Sequence, residues 1–590
     1  MNKLSLIITS LFGLAQLYSC SASAVKCEPV SDEKIVVYQV FTRLFGSDKP
    51  NPIVDGSLSQ NGVGKFADFT ATALDSIAAM GMTHIWYTGV IEHASIYSTD
   101  TVGGLHSNHP GVIKGKAGSP YAIKDYYDVN GYLASSLNTR MQEFESLIDR
   151  SHKANLKVII DFVPNHVARG YHSDVAPKDV KDFGIDDDVS CAFKANNNFY
   201  YIPNKPLKPQ FATNKECKAY EEFPAKATGN DVFSAEPKIE DWYETVKLNY
   251  GVDYENGKAS YFDPLPNTWT KMRDILLFWA SKGVDGFRCD MAEMVPCEFW
   301  QWAIAEVKAE YPDLVFIAEI YNPQAYEDYI KRGGFDYLYD KVGLYDTLKA
   351  IVQGRASTSA ISADRQKIAP VQQHMLNFLE NHDEQRIAWK EFAGDAKAGI
   401  PMMLVSTLSD NIPMMVYFGQ ELGEESPDET GFSGADGRST IFDFWTLPLY
   451  QAWRNGGKFD GAGLTVEQKK LRSQYISILK MANEELAFRD GEFIDLTLAN
   501  PNSSSKVYAF VRCTESEAAL VVVNLSNEKV KTSYELPKSL KAFPSTSFKN
   551  VIFNNGKINS CDGLESDIFL RESNVIELDL EPYRSIVLKN

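Results

Sequence analysis

Short apolar runs and stretches with apolar residues at every third or fourth position take turns along the chain from about residue 35 to residue 484. The first run, KIVVYQVFTRLF, predicts a strand over 34–45. KFADFTATALDSIAAMGM then puts Phe66, Phe69, Ala73, Ile77 and Met80 on one helical face, and THIWYTGV predicts a second strand over 83–90. Further strands are predicted at 156–163, 283–290, 314–320, 335–340, 374–380 and 413–419, separated by helical patterns such as MQEFESLIDRSHKAN, TKMRDILLFWASKG and CEFWQWAIAEVKAEY. Eight strands alternating with helices predict an α/β fold. That number favours a closed (β/α)8 barrel, the TIM barrel, over an open doubly wound sheet.

One interval breaks the rhythm. Between residues 165 and 266, a segment rich in Asn, Lys, Asp and Pro stands where a single helix belongs, which predicts a small inserted domain after the third strand. After TVEQKKLRSQYISILKMANEE the texture changes to short alternating strands such as KVYAFVRC and AALVVVNLS between Asn, Ser and Gly turns. These predict a C-terminal antiparallel β-sandwich domain, with the alternation in KVYAFV turning Tyr508 toward a core. The expected division is a first part of the barrel at 30–165, an inserted domain at 166–266, the rest of the barrel at 267–484 and the β domain at 485–590.

The first 24 residues carry a basic Lys3, an apolar stretch over 4–17 and then small residues, the pattern of an export signal. Two processing routes fit: LYSC resembles a lipobox with lipidation at Cys20, and ASA ending at Ala24 offers ordinary cleavage. An exported protein is expected, with a lipid anchor at Cys20 as its one membrane attachment. Cys191 with Cys217, and Cys513 with Cys561, could each close a local disulfide, while Cys289 reads as a core thiol. The net charge of −19, with no run of Lys and Arg, argues against nucleic acid as a partner and suits a neutral substrate.

In a parallel barrel the functional side chains come from the C-terminal strand ends. The third strand ends in DFVPNH, with Asp161, Asn165 and His166; the fourth in GFRCD, with Arg288 and Asp290; the fifth in AEI, with Glu319; the seventh in ENHDEQR, with His382 and Asp383. Alternation puts Arg288 and Asp290 on one face of their strand and Phe287 and Cys289 on the other. Singly, Arg288 with Asp290 reads equally as a structural ion pair, and Glu319 as a solvated edge. Jointly, three carboxylates from three strands would converge on one rim.

DFVPNH, GFRCD, AEI and ENHD, in this order, resemble the four motif regions of the α-amylase family, glycoside hydrolase family 13, with YFGQE and SPYAIKDYYDVN similar to its flanking regions. The resemblance implies retaining hydrolysis of α-1,4-glucosidic bonds in starch-derived glucans or maltooligosaccharides. It implies Asp290 as nucleophile, Glu319 as general acid/base and Asp383 as transition-state stabiliser, with Tyr121, His166, Arg288 and His382 around the sugar. The chemistry agrees: retention needs an ionised carboxylate to attack and a protonated one to release the leaving oxygen, about 5 to 5.5 Å apart. A cation at Arg288 is expected to lower the pKa of Asp290, and apolar or anionic neighbours to keep Glu319 protonated.

Departures from the family pattern keep other members open. Where amylases carry a Lys-His pair after the nucleophile, this chain has Glu293 and Met294, and DMAEMVPCEFW is closer to cyclodextrin- and pullulan-degrading members. An α-glucosidase, a cyclomaltodextrinase or neopullulanase, and a glucan transferase are the alternatives, and an inactive glucan-binding protein is a remote one. No organic cofactor is expected. Calcium is the candidate metal, because Asn165 matches a family ligand position and the acidic run at 185–188 offers hard oxygens.

Overall fold

The computed structural model describes residues 34–96, 108–210, 219–536, 548, 550–555, 568–570 and 575–590. The expected export signal with Cys20, and the Cys217 and Cys561 halves of the two expected disulfide pairings, lie outside the described residues. All eight predicted barrel strands form: β1 Val36–Phe41, β2 His84–Thr88, β3 Lys157–Phe162, β4 Gly286–Cys289, β5 Val315–Ala318, β6 Tyr337–Tyr339, β7 Met375–Phe378 and β8 Met414–Tyr417. They close in sequence order into one parallel barrel, β8 pairing with β1. The first run is shorter than predicted, because Thr42–Phe45 leaves the strand as a helical turn. Thr42 Oγ1 donates to the Thr88 carbonyl at 2.9 Å there, tying the turn to the end of β2.

The strands read as continuous apolar runs because both of their faces are buried. On β4, Phe287 points outward and packs on the rings of Phe162 and Phe316, 6.2 and 5.6 Å between centroids. Arg288 points into the barrel and is fully buried. Outside, helix Cys297–Glu310 buries Phe299, Trp300, Ala303, Ile304 and Val307, the helical spacing expected of an element with one face on a sheet. Larger apolar side chains such as Phe299, Ile304 and Val307 each contribute roughly 1.5–3 kcal/mol by leaving water.

The inserted segment after β3 is mostly loop, stitched by short antiparallel ladders. His166–Ala168 pairs with Thr245–Lys247, Tyr201–Ile202 with Ala225–Lys226, and Val252–Asp253 with Ala259–Ser260. A second excursion, absent from the predicted rhythm, follows β2, where Ile91–His93 pairs with Ile123–Val129 and brings Tyr121 to the rim. IKDYYDV was hard to read as a buried strand because its Lys, Asp and Tyr side chains are all buried yet polar.

The C-terminal strands are β9 Glu492–Asp495, β10 Val507–Cys513, β11 Ala518–Asn524, β12 Val530–Glu535, β13 Asn550–Asn554, β14 Ile568–Leu570, β15 Val575–Leu580 and β16 Ser585–Lys589. They form a five-stranded sheet in the order β9-β10-β11-β16-β13 and a three-stranded sheet in the order β12-β15-β14. Val507, Ala509 and Val511 of β10 face the three-stranded sheet, in a core with Tyr534 and Leu578. Tyr508 and Phe510 face the other way and join the core of the barrel. Among the described residues, no helix is long and apolar enough to cross a membrane.

Candidate active site

Strand register carries the acids to one place. Arg288 of β4 lies opposite Asp161 of β3, and Cys289 opposite Ala318 of β5. The ladder continues past the strand ends, where Asp290 N–H donates to the Phe162 carbonyl (2.9 Å), Glu319 N–H to Cys289 (3.1 Å) and Ala292 N–H to Glu319 (3.1 Å). Asp290 and Glu319 are therefore side by side on adjacent strands, which lie about 4.8 Å apart in a sheet. Met291, next in the chain, adopts a left-handed conformation (φ 42°, ψ 42°) that a β-carbon disfavours. That turn aims its N–H at Glu319 Oε2, 2.8 Å away.

The buried guanidinium of Arg288 organises the acids. Nη1 donates to Asp290 Oδ1 at 2.8 Å and to Asp161 Oδ1 at 3.4 Å, Nη2 pairs with Glu319 Oε2 at 2.6 Å, and Nε donates to the Tyr339 hydroxyl at 3.2 Å. The rings of Tyr121, Trp86 and Tyr339 surround it at 5.3, 5.4 and 5.5 Å. Tyr321, two residues after Glu319 and so on the same side of the chain, donates its hydroxyl to Glu319 Oε1 at 2.5 Å. Glu319 is thus held at both oxygens.

Asp383 approaches from the end of β7, its side chain about 30% exposed, and pairs with His382 Nε2 at 2.9 Å. Gln39 Nε2 lies 2.8 Å from the other nitrogen of that ring, so an amide donating to Nδ1 leaves the His382 proton on Nε2, facing Asp383. Tyr121 stacks on His382 at 5.2 Å, and its hydroxyl also meets Nε2. Asp290, Glu319, Asp383, Tyr121 and His166 all line one cavity of about 380 Å³. Arg288 and His382 are not among its lining side chains; they lie behind the wall and brace it.

The electrostatics correct one expectation. Burial, reinforced by Glu319, Asp161 and Asp383, pushes the Asp290 carboxyl well above the usual range despite Arg288. One cation divided among three carboxylates cannot hold Asp290 down as a dedicated partner would. Burial works upward on Asp383 as well, but its contact and hydrogen bond with His382, with Arg288 and Arg438, bring its net pKa below the ordinary value. Burial, then Lys247 and Lys114, push the His166 imidazole down to about 3, so it meets a ligand as a neutral ring.

The sequence reading missed other walls of the cavity. Trp242, from the inserted segment, sits 5.4 Å from the His166 ring, and Lys114 and Glu244 form a 2.8 Å ion pair on the same rim. Nothing in the pattern of the inserted segment ties Trp242 to a strand end, whereas Tyr321, also missed, could have been found from its two-residue offset from Glu319. Glu293 accepts the N–H groups of Tyr321 and Asn322 at 3.2 and 3.1 Å and shapes the loop after β5.

Comparison with known proteins agrees with this geometry. The family model described as the α-amylase catalytic domain matches residues 57–443. The chain belongs to the α-amylase family. A second model, described as the C-terminal domain of the α-amylase SusG, matches residues 507–587. This α-amylase family chain is 22% identical to Alpha-amylase 2 of Dictyoglomus thermophilum, over 85% of this chain and 71% of that one. It is 20% identical to Neopullulanase 2 of Thermoactinomyces vulgaris, over 98% and 81%. Its fold matches the maltogenic α-amylase AmyB of Thermotoga neapolitana with a TM-score of 0.58 at 18% identity, covering 94% and 98% of the two chains.

The metal expected at Asn165 meets a different occupant. Asn165 Oδ1 accepts from Lys247 Nζ at 2.7 Å, and the same ammonium pairs with Asp231 at 2.6 Å. The oxygen that would face a cation already faces one. The acidic run at 185–188 is likewise engaged: Asp187 accepts from Asn198 and Phe199 N–H and the Tyr201 hydroxyl, and Asp188 from Ser190, so these acids organise their own loop. A donor set that could hold a metal exists elsewhere, where buried oxygens of Glu92, Asp125 and Asp128 lie within 4.8 Å of one another. Lys124 at 2.9 Å from Glu92 and Arg140 at 2.6 Å from Asp128 already balance much of its charge.

Proposed function

We propose that Asp290 attacks the anomeric carbon of an α-1,4-linked glucosyl unit, that Glu319 protonates the leaving oxygen and later activates water, and that Asp383 and His166 hold the sugar hydroxyls as the ring flattens. The observation that supports this most is that Asp290 and Glu319, on adjacent strand ends, share one guanidinium and open with Asp383 on one cavity. Trp242 and Tyr121 supply apolar faces for a pyranose ring. Substrates are starch-derived glucans or maltooligosaccharides. The N-terminal pattern with Cys20 supports export, with a lipid anchor as one route. Any calcium belongs at Glu92, Asp125 and Asp128 rather than at Asn165.

The runner-up within the family is cyclodextrin or pullulan cleavage, favoured by Glu293 and Met294 after the nucleophile. Products from maltoheptaose, amylose and pullulan separate the two. Asp290→Asn is expected to lower kcat by about 10⁴-fold or more. A native protein that releases no sugar from any of these glucans, or an Asp290→Asn variant that keeps its rate, overturns the assignment.

A further inference from the structure

Lys247 is an internal lysine with a side chain only 2% exposed, placed between two parts of the chain that meet at the cavity. Its backbone pairs with His166 across the antiparallel ladder, and the next residue, Leu248, donates its N–H to the Asn165 carbonyl at 2.9 Å. Its ammonium touches Asn165 Oδ1 at 2.7 Å and Asp231 Oδ1 at 2.6 Å and lies 5.0 Å from the centre of the Tyr254 ring. The two ammonium–oxygen distances lie at or just beyond the ~2.3–2.6 Å range of calcium–oxygen contacts. The ammonium and a small cation would thus answer to the same oxygens.

The contact also decides which way Asn165 points. With Oδ1 turned to the ammonium, its Nδ2 must face Gly229, whose carbonyl it reaches at 2.8 Å, and His166 Nδ1, 3.1 Å away. An amide N–H donating to Nδ1 leaves the imidazole proton on Nε2, the nitrogen away from Asn165. Lys247 therefore acts on the sugar through Asn165 and His166.

We infer that the Lys247 ammonium substitutes for a divalent cation at this junction, pinning the inserted segment to the end of β3 and setting the orientation and tautomer of His166. The inference rests on the reading that His166 faces the substrate, but its physical core is the ammonium among oxygens. Lys247 is a positioning residue, and the junction assembles without calcium.

The experiment measures melting temperature and maltoheptaose hydrolysis for the native protein and Lys247→Ala, in EDTA, in millimolar calcium chloride, and in sodium chloride of equal ionic strength. Lys247→Ala leaves Asn165 Oδ1 and the Asp231 carboxylate around a space that calcium can enter. The variant is expected to melt lower and to lose about tenfold in kcat/KM. Calcium, and not sodium, then restores part of both, and raises the melting temperature of the variant more than that of the native protein. A variant that melts like the native protein, or a calcium shift absent from the variant or equal in both proteins, overturns the inference. Should Lys247→Ala not fold, Asp231→Asn keeps the ammonium and removes its carboxylate; a lower melting temperature insensitive to EDTA supports the inference, and an unchanged one overturns it. The melting data stand even if the protein cleaves no glucan, so the two readings fail separately.

Discussion

Arg288 serves Asp290, Glu319 and Asp161 at once, so its single charge is divided among three carboxylates. Asp161 raises the pKa of Asp290 and draws on the same guanidinium, so Asp161→Asn should move the acidic limb of the kcat/KM profile to lower pH, read across a pH series on maltoheptaose. Burial makes ionising Asp290 costly to the fold, and Arg288 offsets that cost only in part. The stability tied to this group is full below the unfolded carboxyl pKa and is lost as pH rises through the raised folded value. Asp290→Asn should therefore melt a few degrees above the native protein at neutral pH, with the gain vanishing in acid, as calorimetry at two pH values would register. Tyr321→Phe removes the hydroxyl that holds Glu319 Oε1 and should cut kcat on maltoheptaose about tenfold, while sparing an aryl maltoside whose leaving group needs no proton. The three acids, Arg288 and His382 were legible because each ends a short apolar run. Lys247 was not, because its partners Asn165 and Asp231 are brought to it only by folding of the inserted segment.

At the scale of elements, legibility followed burial. The barrel strands are covered on both faces and announce themselves as apolar runs; the excursion after β2 mixes buried Asp, Lys and Tyr and carries no such sign. The end of the first run misled for a related reason: Thr42–Phe45 is as buried as the strand before it, so hydrophobicity did not mark where the backbone turns. β10 and β11 were read correctly as strands, yet their uninterrupted apolar character already implied two covered faces. Phe510 shows what the second face does. It is fully buried against the barrel-side core beside Phe493, 5.4 Å between rings. Phe510→Ala should cost about 3–5 kcal/mol of unfolding free energy in a urea titration, although the residue is far along the chain from every acid at the cavity.

Across the whole molecule, the net charge of −19 is a property of the surface rather than of the reaction. A glucan carries no charge for that field to attract or repel, so kcat/KM on maltoheptaose should change less than about twofold between low and roughly half-molar salt. The C-terminal sheet has a consequence of another kind. Family models treat residues 57–443 and 507–587 as separate units, yet one face of β10 and β11 belongs to the core of the barrel, and Arg512 donates to the Ser409 carbonyl at 2.8 Å across the boundary. Cutting the chain after Asp490 would strip a wall from the catalytic half and expose an oily slab to water. Sequence families draw a border there; the packing makes it a partition shared by two rooms.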